Sequence, residues 1–179
     1  MDIDRILKCA AAALITCAIL AGCGTETAHW AYNHEPDKEV LTLKGNGRAV
    51  FAGQEYTYTQ DDKVIILTDA SGASQSHRYA VDGDTMTFYE SGEYSRDAAG
   101  DGIVGVWVHT NGRNSFQFTQ EGTFSEDSIF HGHYSVDEAE GTIKLMYDDP
   151  LEDAILYYER SGDSMVIDYP WTMVRTQNK

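Results

Sequence analysis

The chain has 179 residues, room for one domain of ordinary size or two very small ones, and carries 29 Asp plus Glu against 13 Lys plus Arg. A formal net charge of −16 excludes nucleic acid or an anionic membrane surface held through a general basic face, and is compatible with divalent or cationic partners. Eleven Tyr, six Phe and three Trp exclude a chain that is disordered overall.

The first element is apolar. A short charged start, MDIDRILK, precedes an uncharged stretch from Cys9 to Ala21, then small residues and Cys23. This is the order of a secretory signal, with a helix-forming apolar part too short for a span, which needs roughly 20 residues. Its end, Leu20, Ala21, Gly22 and Cys23, resembles the signal of bacterial lipoproteins. That resemblance implies cleavage before Cys23 and fatty acylation of its sulfur and new amino terminus. Several acyl chains hold a protein durably where one binds only marginally. The protein would sit on the outer face of the cytoplasmic membrane, or in the periplasm or outer membrane of a source with two membranes. An ordinary secretory signal and an uncleaved short anchor are the alternatives. With residues 1–22 as signal peptide, Cys9 and Cys17 leave and Cys23 is lipidated, so no cysteine remains for disulfides or thiolate chemistry.

Residues 23–38 read as anchor and tether, with Trp30 at their centre. Beyond them alternation and β-branched or aromatic residues predict strands at Val40–Lys44, Arg48–Phe51, Glu55–Gln60, Val64–Thr68, Ser76–Val81 and Thr85–Glu90. A Gly- and charge-rich segment, 91–102, reads as a linker. A second set follows at Ile103–His109, Ser115–Thr119, His131–Val136, Thr142–Tyr147, Ala154–Arg160, Ser164–Asp168 and Met173–Thr176. Turn formers such as GNG, VDGD, TNGR and RSGD separate them.

The two sets match. HRYAVDGDTMTFYE aligns with LYYERSGDSMVIDY, LTLKGNGRAV with FQFTQEGTFS, and Trp30 with Trp107. Two internal repeats are therefore expected, 39–98 and 103–179, each a meander whose apolar face needs a cover. The expected class is all-β: an antiparallel meander barrel or two half-barrels, with 39–179 as a single barrel also open. Gly105, Trp107, Phe116, Phe118, Gly122, Tyr134, Gly162 and Asp163 resemble the lipocalin-like repeat domains of bacterial lipoproteins. That resemblance implies a small antiparallel barrel on a lipid anchor and transfers no catalytic residue.

Chemical motifs are sparse. His131 and His133, two apart on one strand, are weak metal candidates, with Glu126, Asp127 or His109 as a third ligand. The acidic run Asp148, Asp149, Glu152, Asp153 lacks the order and central Gly of a calcium loop. There is no G-x-S-x-G elbow and no phosphate-cradling glycine motif, so no enzyme, metal or cofactor is expected. Trp107, Phe116, Phe118, Tyr134 and Tyr157 are the expected inward residues, lining a ligand site or filling a core. Trp171, next to Pro170, is the interface candidate. The expectation is a lipid-anchored, non-enzymatic envelope protein that binds a protein or glycan or serves structurally; the alternative is a carrier of a small hydrophobic ligand.

Overall fold

A computed structural model describes residues 27–97, 100–148 and 150–176. The signal motif and Cys23 lie outside these described residues. Fourteen antiparallel strands follow one another, with no helix among the described residues: β1 Ala28–Tyr32, β2 Glu39–Lys44, β3 Arg48–Phe51, β4 Gln54–Gln60, β5 Val64–Thr68, β6 Ser74–Asp82 and β7 Thr85–Arg96, then β8 Gly105–His109, β9 Ser115–Phe118, β10 Thr123–Glu126, β11 Phe130–Asp137, β12 Thr142–Tyr147, β13 Ala154–Ser161 and β14 Ser164–Arg175. Each strand pairs with the next, and β14 returns to β1, closing the meander.

The two longest strands divide this closed meander. β7 and β14 pair with each other from Thr85 opposite Val174 to Ser95 opposite Ser164. β6 pairs with the first part of β7 and β8 with the last. Likewise β13 pairs with the first part of β14, and β1 with the last. The result is two rings sharing one two-stranded ladder: β1–β6 close on it at one end and β8–β13 at the other. Closure pairs the strand edges except midway along β7 and β14, where each strand passes from one ring to the other.

Three sequence expectations change here. Ala28–Tyr32, expected within the tether, are a wall strand, because Trp30 is buried between Leu41 and Arg175. The expected linker 91–102 is, as far as Arg96, the second half of β7, since Tyr94 and Arg96 continue its alternation into the second core. The strand expected to break at Pro170 is continuous. Between Asp168 and Met173 no ladder runs along one side of β14, the setting in which a strand accepts proline. The repeat boundaries therefore do not cut the molecule: the first ring needs β14 as much as β7.

Each ring has its own core. Trp30, Leu41, Leu43, Ile65, Leu67, Met86, Phe88 and Met173 fill the first. Trp107, Phe116, Phe118, Phe124, Ile143, Leu145, Leu156, Met165 and Ile167 fill the second. Burying one such aromatic or aliphatic side chain stabilises by about 1.5–3 kcal/mol.

Matching contacts hold both rings. Gly47 and Gly122 take φ of 76° and 77°, which a side chain resists, and their carbonyls accept the N–H of Tyr58 and Tyr134, both at 2.9 Å. The same tyrosines donate their hydroxyls to Lys44 O at 3.2 Å and Thr119 O at 2.8 Å. Arg175 lies over Trp30 at 5.0 Å and beside Asp84 at 3.4 Å; Arg96 lies over Trp107 at 4.3 Å and beside Asp163 at 3.0 Å. Where the first ring opposes small Ala49 to large Tyr56, the second opposes Phe124 to Gly132. A Cβ on Gly132 would collide with the Met146 carbonyl, so β11 lies tight against β12 there.

Candidate functional site: the open end of the second ring

The ladder positions that end β3 and β10 are equivalent: Phe51 lies opposite Leu41, and Glu126 opposite Phe116. In the first ring the Phe51 ring meets Phe88 and His77, each at 5.4 Å, and His77 stacks on Phe88 at 4.6 Å. His77 is buried and its Nδ1–H donates to Tyr89 O at 3.0 Å. These three rings stopper that end.

In the second ring the matching end is an open cavity of about 870 Å³. Its floor is the aromatic core, where Tyr94 packs at 5.7 Å from Phe116. Glu126 enters from β10 because Phe124, two residues earlier on the same face, points into the core. Tyr147, at the end of β12, donates its hydroxyl to Glu126 Oε2 and lies 3.3 Å from the Tyr169 hydroxyl of β14. Asp127, at φ 52°, accepts the Ser115 N–H at 2.6 Å and Asn114 Nδ2–H at 3.1 Å, fastening the corner beside Glu126. The rim is apolar: Phe130, Leu151, Ile155 and Trp171 are all exposed.

Electrostatics follow from this burial. Loss of water raises the Glu126 carboxyl above its ordinary range; the Tyr147 hydroxyl opposes that shift and the Asp127 charge adds to it. Tyr147 is pushed far up by burial and by its hydrogen bonds to Glu126 and Tyr169. Burial, then the nearby acids, raise Tyr94 as well. Among the described residues five acidic side chains line the cavity, Glu90, Glu126, Asp127, Glu152 and Asp153, and no Lys or Arg does. Lys144 pairs with Asp153 from outside the lining, at 2.9 Å.

The sequence-predicted residues separate into three places. Trp107, Phe116 and Phe118 are buried in the core, and Tyr134 packs against it with its hydroxyl on Thr119. Tyr157 does not join them. Its neighbour Leu156 takes the inward phase of β13, which turns Tyr157 to the outer face, 5.3 Å from Tyr89 and under the Arg78 guanidinium at 4.4 Å. Trp171 is 37% exposed on the cavity rim, within 5.3–5.9 Å of Tyr169, Tyr32 and His34. His131 and His133 are exposed on β11, and the described residues contain no group of three or more metal-ligating side chains. Local sequence marks Glu126 only as a possible third metal ligand beside His131 and His133, and gives Tyr147 and Tyr169 no role in a site. The available signal was TFSE, where a carboxylate sits on the same phase as Phe124.

No protein-family model, curated protein or solved structure matches this chain.

Proposed function

We propose that the protein is a lipid-anchored, non-enzymatic binding module of the cell envelope, and that the open end of the second ring takes a small amphipathic ligand. The cavity of about 870 Å³ carries this reading, because it falls within the size of small-molecule sites and combines apolar walls with a few converging polar groups. The leader and Cys23 support export and anchoring. We read the rings as two copies of one lipocalin-like unit, supported by the paired tyrosine corners and the paired Arg–Trp–Asp contacts. The exposed rim of Phe130, Leu151, Ile155 and Trp171 favours the second reading, a carrier of an uncharged hydrophobic body.

Titration with N-phenyl-1-naphthylamine, an uncharged amphipathic fluorophore, tests the site. A saturable rise in emission is expected, and Glu126→Phe, which supplies the stopper of the first ring, should abolish it. Unsaturable emission, or emission unchanged by Glu126→Phe, would exclude the cavity as the site. Intact mass of membrane-extracted protein tests the anchor: a chain retaining residues 1–22 without added mass refutes it.

A further inference from the structure

Three times among the described residues an aromatic face and a carboxylate hold a cation between them. Arg96 lies 4.3 Å from the Trp107 centroid and 3.0 Å from Asp163. Arg175 lies 5.0 Å from Trp30 and 3.4 Å from Asp84. Arg78 lies 4.4 Å from Tyr157 and 3.5 Å from Asp168, in the cleft on the outer face of the shared ladder. The cavity repeats these ingredients on a larger scale. Tyr94, Tyr147, Tyr169 and Trp171 supply rings and Glu126 a carboxylate, yet no Lys or Arg of the described chain lines it.

We propose that the cavity selects a small organic cation, an ammonium group on a partly apolar body, with Glu126 as counter-charge and Tyr169 and Trp171 as ring faces. This rests on the cavity being the binding site. The assignment follows from complementarity. A cation against aromatic faces is attracted by their negative quadrupoles, and more strongly where water is displaced. A carboxylate already stripped of water gains most from an opposite charge beside it. The rim of Phe130, Leu151 and Ile155 suits the apolar part of such a ligand. An anion would meet five carboxylates, and an inorganic divalent ion would leave the rings without a role.

Competition against bound naphthylamine distinguishes the cases, using benzyltrimethylammonium and neopentylbenzene, the same skeleton with carbon in place of nitrogen. The cation should displace the probe at a concentration at least about tenfold lower than the hydrocarbon. Glu126→Gln should remove that preference, whereas Glu121→Gln, an exposed acid away from the cavity, should retain it. Equal displacement by both compounds, or loss of preference in Glu121→Gln, overturns the cation assignment while leaving the cavity as a binding site. Failure of the naphthylamine to bind saturably overturns both.

Discussion

The two rings use one ladder, one turn chemistry and one pattern of Arg–Trp contacts, yet end differently. At the end of β3 stands Phe51, against His77 and Phe88; at the end of β10 stands Glu126, against Tyr147. Phe88 and Ile167 hold matching places opposite Tyr79 and Tyr158, so the second ring also has an aliphatic residue where the first has a ring. A few side chains thus separate a stoppered ring from an open one. The walls are set by alternation and turns, which tolerate many residues. The mouth is set by individual choices, and it is there that the two rings part.

Transplanting the mouth gives the largest expected effect. Phe51→Glu sets a carboxyl against the stacked Phe88 and His77 and should cost about 2–3 kcal/mol, from the lost packing of a half-buried aromatic and the poorly solvated charge. The urea midpoint measures it; a loss below about 1 kcal/mol would mean that the two ends are interchangeable.

The paired tryptophans sharpen the comparison. Trp107 donates its Nε1–H to Ile103 O at 2.8 Å, whereas Trp30 Nε1 has no partner among the described residues. Both are buried, so replacement by Phe removes similar volume from each. Trp107→Phe should therefore cost about 1 kcal/mol more than Trp30→Phe, the value of one net hydrogen bond plus an orphaned carbonyl. Equal losses in denaturant melts would contradict the asymmetry.

The smallest effect is one of pH. Glu126 faces Asp127, Tyr147 from β12, Tyr169 from β14 and Tyr94 from β7, and its carboxyl is raised chiefly by burial. Burial holds those tyrosines above their ordinary range, so they stay neutral below it. A raised acid binds its proton more tightly in the folded chain. Its contribution is therefore full below the ordinary carboxyl value and is lost as pH rises through the folded value. Glu126→Gln should abolish this decline and raise Tm at neutral pH, with no gain in acid. Scanning calorimetry across pH checks it; a Gln variant less stable at neutral pH would reverse the sign. A residue that weakens its own fold in this way is the compromise that the proposed binding role predicts.

Most wall strands were legible because period-2 alternation and turn residues report directly on a ring with one face buried. Three of the misses share a cause. β1, the second half of β7 and the Pro170 stretch of β14 are strands through partners remote in sequence, which local composition does not report. β10, only four residues after a turn, is too short to show its period. The cavity was the least legible part. Pro170 marks Trp171 in the sequence, but Glu126, Tyr147 and Tyr169 meet only once three strands are closed into a wall.

The shared ladder also governs how the chain can fold. β14 is the last strand of the meander, and its partners are β13 beside it, β7 far back and β1 farther still. Neither ring can shut until this strand has been made, so everything before it is an open sheet during synthesis. Pairings so distant in sequence make ring closure a late and slow step. They also tie both cores to one closing event, so a lesion in β14 should unravel the two together.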